Sequence, residues 1–130
     1  MRKASVILIV LILLTGCSSP GITNNVKIEV GTSERFTVTE IEAAAECVVA
    51  FFPEFEGCEL LRLWYDEEWS DGPMENKGRT NRIVLLSDFY VDSSGANGGF
   101  NPNETYINWN WILTRDANET DWKVSSWGYC

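Results

Sequence analysis

One helical period followed by a long succession of strand patterns constrains this chain more than any other feature. Ile41, Ala44, Ala45, Val48, Phe52 and Phe55 recur at spacings of three and four, which gathers them on one apolar helix face. Thr39-Glu40-Ile41-Glu42 reads as a capping box, in which hydroxyl and carboxylate satisfy the first free amides of that helix. Pro53 cannot sit comfortably in a helix interior, so the helix is expected to stop near Phe52, with Gly57 closing the turn. Strand patterns take over from there. Cys58 to Tyr65 carries Leu60, Leu61, Leu63 and Trp64, and Arg82 to Asp92 is apolar on both faces, as near a sheet centre. Tyr106 to Arg115 alternates Trp109, Trp111 and Leu113 against Asn108 and Asn110, and Trp122 to Tyr129 closes the series. The stretches between them, Asp66 to Arg82 with Gly72-Pro73, Ser94 to Gly99, and Asp116 to Asp121, read as loops and turns. One helix cannot cover a flat sheet of this width, but a twisted one closes around it. The expected fold is therefore α+β: one N-terminal helix packed on a curved four-stranded antiparallel meander sheet over residues 36–130.

The N-terminal sequence is of another kind. Arg2 and Lys3 precede the apolar run Val6 to Leu14, which has the charged and greasy regions of a secretory signal. That run falls short of the ~20 residues a membrane-spanning helix needs. Leu14-Thr15-Gly16-Cys17 resembles the lipobox of bacterial lipoproteins, in which a branched apolar residue and two small residues precede a cysteine. The resemblance implies that residues 1–16 are a signal peptide and that Cys17 becomes the mature N-terminus with a diacylglyceryl group on its thiol. An ordinary signal peptide with an incidental cysteine, or an uncleaved anchor, is the plainer alternative. Each buried methylene adds ~0.8 kcal/mol to partitioning, so acyl chains on Cys17 would hold the protein on the extracytoplasmic face of the cell membrane. Residues 17–35, rich in Ser, Gly and Asn, read as the lipidated N-terminus and a flexible tether, with Val26 to Val30 alternating in the pattern of a short edge strand.

Charge and composition narrow the partners. The net charge of −9 becomes −11 once Arg2 and Lys3 are removed, which leaves 8 basic against 19 acidic side chains. Nucleic acid is not an expected partner, because binding it depends on basic side chains displacing counterions. Anionic lipid is disfavoured too, and the acyl chains remain as the membrane contact. The chain has no histidine, which removes histidine-activated nucleophiles and histidine metal sites. No cofactor is implied. Lipidation of Cys17 would leave Cys47, Cys58 and Cys130; a bridge between Cys58 and Cys130 and a fully reduced set stand side by side.

Phe55 to Leu60 running into Leu63 to Glu68, Val84 to Phe89 with Val91 to Gly95, and Asn108 to Leu113 with Trp122-Lys123-Val124 and Trp127-Gly128-Tyr129 form a further pattern. Together these stretches resemble small lipoproteins of clostridia-like bacteria and, more distantly, the cystatin-like and nuclear-transport-factor-2-like superfamily. The resemblance implies a cystatin-like domain over residues 36–130 and carries almost nothing about function.

Three groups of residues could bear chemistry. Asp88 sits in an apolar strand on the face of Val84, Leu86 and Tyr90; buried, it would be a proton-transferring base, as in the steroid isomerases of that superfamily, and otherwise it meets solvent or a loop amide. Asp92, Ser94, Asn97, Asn101 and Glu104 crowd one glycine-rich loop with oxygen donors that calcium accepts, although their spacing is not that of an EF-hand and a plain polar turn explains them. Asp66, Glu67, Glu68, Asp71 and Glu75 surround Trp69 as a solvated acidic loop or a docking patch for a basic protein. Of the six tryptophans, Trp69 and Trp127 are the expected exposed pair, and exposed aromatics mark binding surfaces. The leading expectation is a membrane-tethered, non-catalytic accessory domain that binds a small ligand or a protein. A carboxylate-dependent isomerase or hydratase using Asp88, and an inhibitor or immunity-type protein, are the alternatives.

Overall fold

The computed structural model describes residues 19–72, 79–116, 119 and 121–129. Cys17, Glu75, Cys130 and the expected signal peptide, residues 1–16, lie outside the described residues. Five strands form one sheet: β1 (Lys27–Glu29), β2 (Cys58–Tyr65), β3 (Arg82–Val91), β4 (Thr105–Thr114) and β5 (Lys123–Gly128), side by side in that order. The pairs β2–β3, β3–β4 and β4–β5 are antiparallel, but β1 runs parallel to β2, with Ile28 opposite Leu63. The expected four-stranded antiparallel meander is thus corrected to a five-stranded mixed sheet. The parallel strand is possible because α1 (Val38–Phe51) stands between β1 and β2 as a crossover, the connection that parallel neighbours require.

The helix starts two residues earlier than its sequence implied. Thr37, in extended conformation, accepts from the Glu40 backbone N–H at 3.1 Å, and the Glu40 carboxylate accepts from the Thr37 N–H at 3.0 Å. The capping box is therefore Thr37 to Glu40, and Thr39 lies inside the first turn. Glu40 is held below the usual carboxylate range by the Thr37 amide and by the Arg115 guanidinium 2.5 Å away. At the other end Pro53 opens a 3-10 turn, Phe52–Glu54, and Gly57 follows with φ of 72°.

Ile41, Ala44, Ala45, Val48, Phe52 and Phe55 are all buried against the sheet, where they meet Leu60, Leu63, Leu85, Phe89, Trp111 and Leu113. Three strands carry an extra residue: Leu61 in β2, the Ile107–Asn108 step in β4, and Ser125 in β5. Each bulge bends its strand and adds right-handed twist. Asn108 takes φ of 56°, a conformation asparagine tolerates better than most residues. In the core, Ser87 accepts from the Trp111 indole N–H at 2.7 Å and donates to the Trp109 carbonyl at 3.2 Å, so both buried polar groups are satisfied.

The described part of the expected tether, residues 19–35, is bound to the domain along its length. Gly57 donates to the Ser19 carbonyl at 2.8 Å, Gly21 donates to the Pro53 carbonyl at 3.0 Å, and Ile22 bridges Glu59 in parallel. Further on, β1 pairs with β2, and Ser33 to Arg35 are gripped by α2 (Glu67–Asp71), which lies in the stretch read as loop. Glu67 accepts from the Ser33 hydroxyl, from the Glu34 N–H at 3.0 Å and from the Tyr65 hydroxyl at 3.2 Å, while Arg35 pairs with Asp71 at 2.8 Å. Polar composition concealed this segment, because backbone pairing and carboxylate clamps, rather than apolar side chains, hold most of it.

Candidate binding surface

β5 closes the sheet order, and an exposed tryptophan stands on each side of it. Trp127 pairs with Trp111 across the β4–β5 ladder and therefore shares its face, the one turned toward α1. It is 45% exposed, yet its ring lies 5.1 Å from Phe51 and 5.8 Å from Phe55. On the opposite face, Trp69 of α2 is 46% exposed and donates its indole N–H to Asn110 Oδ1 at 2.7 Å. Asn110 is buried and passes the contact to the edge, since its amide donates to the Gly128 carbonyl at 3.1 Å. Trp127 thus stands on β5 itself, and Trp69 is linked to β5 from the opposite face through Asn110 of β4. Tyr129, 59% exposed, stacks on Tyr106 at 6.2 Å just beyond.

Edge strands invite addition of another strand, and two features blunt this one. Lys123 places a charge at its start, and the bulge at Ser125 interrupts its regular spacing, with the Ser125 hydroxyl donating to the Ile112 carbonyl at 3.0 Å. What the edge offers a partner is chiefly aromatic area, one side of which already packs on the domain.

The acidic stretch beside Trp69 separates into roles. Asp66 caps α2 by accepting from the Trp69 N–H at 3.0 Å, and Glu67 clamps Ser33 and Glu34, whose donors hold it below the usual carboxylate range. Asp71 is paired with Arg35. Glu68 is exposed in the first turn of α2, and with Asp66 it leaves negative charge at the rim of Trp69. A docking surface for a basic partner therefore has fewer carboxylates than the sequence counted.

Asp88 lies on the sheet face away from the helix, where β2 and β4 both bulge. It accepts from the Asn108 N–H at 3.1 Å and stands opposite Arg62 in the register. It serves there as acceptor for a backbone amide freed by the β4 bulge. Neither the polar cleft of about 250 Å³ between Asn81, Thr114, Arg115 and Lys123 nor the cleft of about 160 Å³ beside Ser19 and Asp92 is lined by Asp88. In the glycine-rich loop, Asp92 accepts from the Ser94 N–H and hydroxyl, Asn97 donates to Glu56, and Asn101 donates to Glu104. These pairs point to different neighbours, and no group of three or more acidic or thiol side chains converges as a metal site among the described residues. Cys58 is a buried free thiol pushed up to about 11 by burial and the nearby Asp92 charge, and Cys47 is a free thiol donating to the Trp122 carbonyl.

Phe51, Asn110 and Tyr129 are the surface's unanticipated members. Phe51 extends the helix face sideways through Cys47, at a spacing of four that was present in the sequence. Comparison with family models, curated proteins and solved structures gives no match for this chain.

Proposed function

We propose that this chain is a membrane-tethered extracytoplasmic lipoprotein, anchored through Cys17, whose domain is a non-catalytic protein-binding module. Leu14 to Cys17 supports the anchor. The observation that carries the binding reading is the pair Trp69 and Trp127, each nearly half exposed and each held against a buried side chain, Asn110 for Trp69 and Phe55 for Trp127. Tryptophan is enriched among the few residues that anchor protein interfaces, and truncating such an anchor costs about 2 kcal/mol or more of binding, about thirtyfold in affinity. Exposed Glu68 and Asp66 beside Trp69, and the overall acidic balance, favour a partner with basic residues around an apolar centre.

Crosslinking on intact cells with a photoreactive group at Ser126, beside Trp127, tests this reading. A single crosslinked protein species is expected, reduced at least tenfold by Trp127→Ala or Trp69→Ala while the variants stay folded. Crosslinking that both substitutions leave unchanged would overturn the assignment of the surface.

A further inference from the structure

The contacts of Ser19 bear on how the domain meets the membrane, given the anchor on Cys17. Only one residue separates Cys17 from Ser19, so their Cα atoms are at most about 7 Å apart. The headgroup layer on one side of a bilayer is itself roughly 5–8 Å deep. Ser19 is already tied to Gly57, Gly21 to Pro53, and Ile22 to Cys58 and Leu60. Gly21 fits tightly, since a Cβ there would collide with the carbonyl oxygens of Phe52 and Phe55. No slack is left for the domain to stand off.

The end of the molecule so placed comprises the 3-10 turn, Gly57, the end of β3 and the loop that follows. It carries exposed Ile22 and Tyr90, 42% and 37% exposed, in adjoining rows of the sheet through Glu59. Tyrosine favours the boundary between headgroups and water, where ring and hydroxyl each find a suitable medium. The same end carries Glu54, Glu56, Glu59, Asp92 and Glu104, which anionic lipid would repel. We infer that the lipidated protein lies directly on neutral phospholipid in one orientation, with Ile22, Tyr90 and the 92–104 loop at the headgroups. This rests on the lipoprotein reading. The opposite end of β3, nine residues away, then stands about 30 Å further from the lipid.

The test uses the full lipidated protein in phosphatidylcholine vesicles that contain a bromolipid quencher. A bimane label is placed at Ser93→Cys or at Asn81→Cys, in a background carrying Cys47→Ala and Cys130→Ser, with buried Cys58 left in place. Quenching at position 93 should exceed that at position 81 several-fold, and a Gly/Ser insertion of about twelve residues after Ser18 should abolish the difference. Equal quenching at the two positions, with acyl chains on Cys17 verified by mass, would overturn the orientation and leave the lipoprotein reading standing. An unmodified Cys17 in the cell-derived protein would overturn both. Retention of the difference after the insertion would overturn the short tether as its cause.

Discussion

Replacing Glu67 by alanine removes the acceptor that holds the segment before α1 to α2. The lost bonds come from the Ser33 hydroxyl, the Glu34 amide and the Tyr65 hydroxyl. Hydrogen bonds to a charged group contribute roughly 1.5–3 kcal/mol each when well enclosed. This site is partly open to water, so the three together are discounted to about 2 kcal/mol. For a domain of this size that corresponds to a fall in Tm of about 8 °C at pH 7. The pH dependence has a definite sign. The folded-state pKa of Glu67 is depressed, so its contribution is fully present above the unfolded value near 4.5 and is lost as pH falls through the folded value. Thermal melts of wild type and Glu67→Ala at pH 7 and at pH 2.5 measure both quantities. A gap of about 8 °C that narrows in acid is expected. A gap under 2 °C at pH 7, or one unchanged in acid, would refute the clamp.

Two further outcomes follow from the core and the thiols. Ser87→Ala leaves the Trp111 indole N–H buried without its acceptor and should cost about 1–3 kcal/mol in urea unfolding, whereas Ser125→Ala at the exposed edge should cost under 1 kcal/mol. Cys58, pushed up to about 11, is almost wholly protonated at pH 8; it should react with a disulfide reagent far more slowly than the same thiol in urea, and equal rates would contradict its burial.

Strong periodicities in the sequence identified the parts of the molecule that apolar burial decides. The helix face from Ile41 to Phe55 and the strands carrying Leu63, Leu85 and Trp111 are such parts, because a side chain that must leave water imposes a spacing of its own. The position of the helix cap was misread by two residues, since Thr37 and Thr39 offer the same hydroxyl and only the path of the chain selects one. β1 was legible as alternation at Val26 to Val30, but its partner and parallel direction were not. A three-residue edge strand gains its place from backbone pairing to a strand more than thirty residues away. The tether was misread for a related reason: serine, glycine and glutamate look the same in sequence whether they bond to water or to a neighbouring carboxylate.

The proposed binding surface was legible only in its two tryptophans. Trp69 and Trp127 lie 58 positions apart in sequence, and nothing in their spacing says that Asn110 and β5 bring them to one edge. Asp88 drew notice as an acid in an apolar strand, while the bulges that explain it belong to β2 and β4.

The mass of the N-terminal peptide from membrane-derived protein tests the account most directly. A peptide beginning at Cys17 and heavier by a diacylglyceryl group is predicted. A peptide that retains residues 1–16, or one that begins at Cys17 with its thiol bare, would contradict it.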